Sequence, residues 1–149
     1  MSYSEAELDD LAARFVSREI PLAEWTHLAH LAIGAWHVDR YGPDDALARM
    51  RTGIRRLNDS HGTPNTSTSG YHETITRAYV QLLRAFLREC PSEEPLHGRV
   101  DRLTTSRLAE RNFLLSFYSS QRLMSEGART AWIEPDLVPL ALAGGVVDD

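Results

Sequence analysis

The chain has a single cysteine, Cys90, among its 149 residues. One thiol excludes an internal disulfide and any cysteine-rich zinc site, and it fits a reducing cytosol. Long apolar runs are also missing: none approaches the roughly 20 residues that span a bilayer. Positive charge is short as well, with 16 basic against 21 acidic residues and a formal net charge of −5. That balance excludes a general electrostatic attraction to nucleic acid. The opening segment MSYSEAELDD is acidic and polar, unlike the basic and then apolar pattern of a secretory signal. GxSxG, P-loop, GxGxxG and EF-hand patterns are absent, which disfavours a Ser-His-Asp hydrolase on one of the well-known folds. These absences lead us to expect a cytoplasmic protein that engages neither nucleic acid nor membrane.

Helical periodicity dominates what is present. Apolar residues make up 42% and charged residues 25%, an ordinary globular balance, and the length fits one domain spanning 1–149. Leu8, Leu11, Ala12 and Phe15 recur at spacings of three and four, which predicts a first amphipathic helix over 4–17 with Ser4 as N-cap. Pro21 suits the first position of a second helix that ends at Gly42-Pro43. A third begins near Asp44, with Leu47, Met50, Ile54 and Leu57 as its stripe. Residues 58–70, NDSHGTPNTSTSG, form a long loop. Ser69 or Thr68 can then cap a fourth helix running to about Glu89. Its inward face is expected to include Tyr71, Ile75, Tyr79, Leu82, Leu83 and Phe86. Helical stretches follow over 96–109 and 110–124, with a short turn capped by Ser125. The tail IEPDLVPLALAGGVVDD, with two prolines, reads as extended. No segment shows a strand period, so the fold expected is an all-α bundle of about five to six helices with an extended C-terminal tail.

Four of the six histidines fall in two stretches, EWTHLAHLAIGAWH (24–37) and GYHETIT (70–76). Imidazole is the side chain best suited to hold a transition metal or move a proton near neutral pH. At 100° per residue, the second helix is apolar almost all round, so it should be central. Gly34 lies on its histidine-bearing arc, where it leaves room for a ligand or a close helix. His27 and His30 are one turn apart and can reach one point. With His72 they form a candidate metal-ligand set, three histidines with an open position that zinc, iron or copper would accept. Such a metal would activate water or polarise a substrate oxygen. Glu73 or Glu24 would be base or supporting partner. His37 is read as structural or at the surface, and His61 and His97 as solvated.

The loop delivers hydroxyl and amide groups to a helix start, where free N–H groups favour a carboxylate or phosphate. Arg55, Asn65 and Thr66 are candidate substrate contacts, with Arg51, Arg56 and Thr68 nearby in the sequence; the arginines would supply a bidentate clamp. Tyr118, flanked by Ser116, Ser119 and Ser120, is a candidate acid, against the plainer reading of a core tyrosine with its hydroxyl at a rim.

WTHLAHL (25–31), NTSTSGYHETIT (65–76) and WIEPDLVPL (132–140) together resemble a family of short bacterial proteins. The resemblance spans most of the chain, implies a small helical protein and brings no established activity. The leading functional expectation is a metal-dependent enzyme, a hydrolase or lyase, acting on a small anionic organic molecule. The alternatives are a non-catalytic helical module that dimerises through Trp25, Trp36 or the tail, and a cofactor-free acid/base enzyme using His72.

Overall fold

The computed structural model describes residues 2–142 and 145–146, the last two by backbone alone. The described residues form an all-α bundle. The order is α1 (Glu5–Val16), α2 (His27–Tyr41), α3 (Pro43–Ser60), α4 (Glu73–Glu89), α5 (Leu96–Thr104), α6 (Ser120–Leu123) and α7 (Glu126–Thr130). A two-residue antiparallel pair closes the tail, β1 (Ala141–Leu142) with β2 (Gly145–Val146), Ala141 opposite Val146. No helix among the described residues is long and apolar enough to cross a membrane.

α1 starts as its sequence dictates. Ser4 Oγ accepts from the Glu7 N–H at 3.1 Å and Glu7 Oε1 accepts from the Ser4 N–H at 3.0 Å, a reciprocal capping box. Leu8, Leu11, Ala12 and Phe15 are all buried. α2 is central and packs against α1, α3, α4 and α5. It starts later than Pro21 suggested. Pro21 instead precedes a 3-10 turn over Leu22–Glu24, and Thr26 caps α2 by accepting from the Ala29 N–H. A β-hydroxyl at an N-cap satisfies an otherwise orphaned amide. Gly34 lets α4 approach α2: a Cβ there would lie 2.7 Å from Leu83 Cδ1. α4 buries Thr74, Ala78 and Gln81 besides Val80, Leu82, Leu83 and Leu87. The inward face is therefore wider than the sequence pattern implied, and Ile75, Tyr79 and Phe86 sit at its edge.

Two expectations are corrected here. α4 is capped by His72, not by Ser69 or Thr68. The His72 Nδ1 accepts from the Ile75 N–H at 3.1 Å. Nδ1 is thus unprotonated, and Nε2 carries the hydrogen that it donates to the Leu123 carbonyl at 2.7 Å. Nor is there a helix over 110–124. After α5 the chain makes 3-10 turns at Arg107–Ala109 and Phe113–Ser116. Ser119 and Ser125 then cap the short α6 and α7. Serine competes for backbone bonds and starts helices more readily than it continues them.

The tail has no helix over 132–140, bends at 136–138 and is pinned at Ile133, Asp136 and Leu137. Tyr118 Oη donates to the Ile133 carbonyl at 2.7 Å, the Ile133 N–H to Thr74 Oγ1 at 3.2 Å, and the Leu137 N–H to the Phe117 carbonyl at 2.9 Å. The Ser119 N–H meets Asp136 Oδ1 at 2.7 Å. The expectation for 143–144 and 147–149 lies outside the described residues. Because His72 joins α4 to α6, His72→Ala should cost about 1–3 kcal/mol, the sum of a lost cap and a lost buried bond. His72→Asn, which can still cap, should recover roughly half. Urea unfolding measures both, and a His72→Ala loss under about 0.5 kcal/mol contradicts the assignment.

Candidate functional site

A cavity of about 260 Å³ lies between α2, α3 and α4. Leu31, Met50, Ile54, Val80 and Leu83 make apolar walls and Gly34 opens the floor. The polar side chains reaching it include His27, His30, Tyr79 and Arg111. An apolar concavity with a few convergent polar groups is the usual form of a small-molecule site.

Each imidazole is fixed by the main chain. His27 Nε2 lies 2.9 Å from the Leu108 carbonyl. A carbonyl only accepts, so Nε2 carries the hydrogen and Nδ1 is left with its lone pair. His30 has the opposite tautomer: Nδ1 donates to the Thr26 carbonyl at 2.8 Å, and Nε2 keeps the lone pair. The His30 ring lies against Trp25 at a tilt of 35°, with centroids 3.6 Å apart. The His27 ring meets Tyr79 edge-on at 5.5 Å.

The Leu108 carbonyl is available because the helix does not continue. In an α-helix it would accept from the residue 112 N–H. The 3-10 turn at Arg107–Ala109 leaves it to His27, and places Arg111 at the cavity two residues after the turn. Arg111 is exposed and makes no hydrogen bond or ion pair among the described residues.

The electrostatics follow from burial. Burial pushes His30 down to about 4, partly offset by its bond to the Thr26 carbonyl. Tyr79 is raised to about 12 by burial alone, so its hydroxyl stays protonated. The chain contains no lysine, all 16 of its basic residues being arginine, so covalent imine chemistry through a lysine is excluded.

Other residues singled out from the sequence lie elsewhere. His72 does not join His27 and His30, since both its ring nitrogens are hydrogen-bonded to the main chain. Among the described residues no group of three or more His, Cys, Asp or Glu side chains is arranged to hold a metal ion. The three-histidine ligand set is therefore not assembled. Glu73 is clamped by Arg51, with Nε–Oε1 at 2.8 Å and Nη2–Oε2 at 2.6 Å, and Tyr71 Oη donates to Oε1 at 2.8 Å. The Arg51 bond holds its carboxyl below the ordinary range, and no lone base is left there. Glu24 sits on the exposed 3-10 turn, 3.7 Å from Arg14. Tyr118 is fully buried, its hydroxyl on the Ile133 carbonyl, so it is a core residue and not an acid in a site.

The loop residues hold the loop itself. Asn65 Nδ2 donates to the Arg55 carbonyl and to Asp59 Oδ1, and Oδ1 accepts from Asn58 Nδ2 and the Tyr71 N–H, all at 3.0–3.1 Å. Gly70, at φ +76°, is required beside it, because a Cβ would lie 2.7 Å from Asn65 Oδ1. Thr66 Oγ1 accepts from the Thr68 N–H at 3.2 Å, and Arg55 lies over the Tyr71 ring at 5.3 Å. Arg51, Arg55 and Arg56 face different neighbours and form no common clamp. His61 is not simply solvated: Nε2 donates to the Ile20 carbonyl at 2.7 Å. His97 Nδ1 lies 2.9 Å from Glu5 Oε1. The sequence reading missed Arg111 altogether, and it read Tyr79 only as part of an apolar stripe.

Comparison with protein-family models, with curated proteins and with solved structures finds no match, so any function must be argued from this geometry.

Burial also lowers His37 and His72 below the ordinary histidine value of 6.5. The folded chain therefore binds fewer protons than the unfolded chain once the latter's imidazoles charge. The sign is set: this stability is fully present above about pH 6.5 and is lost as pH falls, with His30 contributing down to about 4. Each such histidine adds up to about 1.4 kcal/mol per pH unit to the slope. Urea unfolding at pH 7 and pH 5 should show this loss, and His30→Gln should flatten it. An unchanged slope in that variant contradicts a His30 that is neutral in the folded chain.

Proposed function

We propose that this chain is a cofactor-free acid/base enzyme for a small organic acid with an apolar body, bound between α2, α3 and α4. What carries the reading is a single juxtaposition: two imidazoles of fixed, opposite tautomer share an apolar cavity with a protonated tyrosine and an unpaired arginine. The arginine supplies the charge that a carboxylate needs. His27 Nδ1 accepts a proton from a carbon beside a carbonyl. Tyr79 donates a hydrogen bond to the carbonyl oxygen as negative charge develops there. His30, neutral at ordinary pH, accepts a hydrogen bond from the bound molecule. The proton returns from His27 to substrate carbon, so no oxidant or reductant enters. This keeps the acid/base chemistry considered for His72 and moves it to His27.

Phenylpyruvate is a suitable probe, having a carboxylate, a carbonyl, an apolar ring and an exchangeable benzylic proton. In D₂O the protein should exchange that proton above the solution rate and saturably. His27→Ala should lose the exchange while still binding. Arg111→Ala should weaken binding about tenfold, or about 1.4 kcal/mol, with turnover at saturation largely kept. Exchange at the solution rate under saturating binding refutes catalysis. Activity lost on chelation refutes the cofactor-free mechanism.

A further inference from the structure

A second cavity, about 480 Å³, lies two turns further along α2, between α1, α2 and α3. It shares no lining residue with the first. At its base is His37, only 2% exposed. His37 Nδ1 donates to the Ile33 carbonyl at 2.8 Å, so Nε2 holds a lone pair. No hydrogen-bond donor among the described residues reaches that nitrogen, and it is not sealed from solvent, so it opens toward the cleft. An acceptor held at an aromatic cleft favours a ligand that brings a donor.

Aromatic rings surround it. Phe15, Trp36 and Tyr41 have centroids 5.6, 5.0 and 5.9 Å from that of His37. These rings are held before any ligand arrives. Trp36 Nε1 donates to Asp9 Oδ1 at 3.0 Å, Arg40 covers Trp36 at 4.4 Å, and Arg49 covers Tyr41 at 3.8 Å while pairing with Asp45 at 3.1 Å. A site ordered in advance loses less entropy on binding. The charged lining is Asp9 from α1 and Asp45, Arg49 and Arg56 along α3, with Asp9 already engaged by Trp36. Arg49 is committed to Asp45. Arg56 is exposed and has no ion pair or hydrogen bond among the described residues.

We propose that this cleft is a separate binding site for a small planar aromatic acid, whose O–H or N–H donates to His37 Nε2 and whose carboxylate pairs with Arg56. The aromatic wall takes the ring, the open His37 acceptor selects a ligand with a donor, and the arginine selects an anion. No bond is made or broken, so the site binds and does not catalyse. Its lining residues are distinct from those of the acid/base cavity, so the proposal does not rest on that reading.

The test uses the full chain and 4-hydroxybenzoate, which carries both required groups. Titration followed by imidazole ¹H–¹⁵N correlation should shift the His37 Nε2 resonance saturably. Benzoate, lacking the donor, should bind at least roughly fivefold more weakly, the worth of one hydrogen bond. Arg56→Gln, at an exposed position, should weaken both acids by a similar factor, and His37→Phe should abolish the preference for the hydroxylated one. Should His37→Phe fail to fold, the ratio of the two acids on the unmodified protein and the Arg56→Gln variant decide the matter. Equal affinity for the two acids overturns the proposal. So does unaltered binding in Arg56→Gln, or shifts confined to His27 and His30.

Discussion

Main-chain carbonyls govern the histidines of this protein, and the rest of the structure depends on that. Five of the six donate one ring N–H to a backbone oxygen: His27 to Leu108, His30 to Thr26, His37 to Ile33, His61 to Ile20 and His72 to Leu123. The sixth, His97, faces Glu5 instead. Each such bond contributes about 0.5–1.5 kcal/mol. Three of them join segments 41, 81 and 51 residues apart, so they tie loops and short turns to the longer helices. The same bonds decide which ring nitrogen keeps a lone pair, and therefore what each imidazole can do.

That constraint separates the histidines: His61 gives Nε2 to the Ile20 carbonyl and keeps Nδ1 enclosed away from both cavities. His72 has both nitrogens committed and is a cap and a tie between helices. His27, His30 and His37 have one committed and one available, and all three line cavities. The rings of His30, Trp25, Phe15 and His37 form a continuous row, at 3.6, 5.6 and 5.6 Å, so the inner ends of the two cavities are built from one packed set of aromatics. Moving any of these rings disturbs both walls. The arginines follow a similar division. Arg51 is tied to Glu73 and Arg49 to Asp45, whereas Arg111 and Arg56 reach cavities and have no carboxylate partner among the described residues.

Local pattern was enough for the helices. The spacing of Leu8, Leu11, Ala12 and Phe15, the Ser4 cap and the Gly42-Pro43 break all describe interactions within a few residues, and α1 and the limits of α2 and α3 near that break follow from them. The idea that Gly34 admits a close helix was also legible, since glycine inside a helix needs a reason. The stretch over 105–125 was not. Its apolar residues have helical spacing, but Ser106, Ser119 and Ser125 divide it, and the carbonyl at Leu108 is stabilised by a ring from far away in the sequence. For the same reason His72 read as a ligand. Its partners, the Ile75 N–H and the Leu123 carbonyl, are main-chain groups, which carry no residue identity for a sequence to reveal. His27 and His30 were found because proximity along one turn is itself a local fact. Arg111 had no local signal.

The central claim is that neutral imidazoles of defined tautomer, fixed by carbonyls, organise this molecule. Long-range ¹H–¹⁵N correlation of the histidine rings at neutral pH tests it most directly. The account predicts the Nε2–H form for His27, His61 and His72 and the Nδ1–H form for His30 and His37, each as a single species. Averaged tautomers, doubly protonated rings, or the same tautomer at His27 and His30 would contradict it.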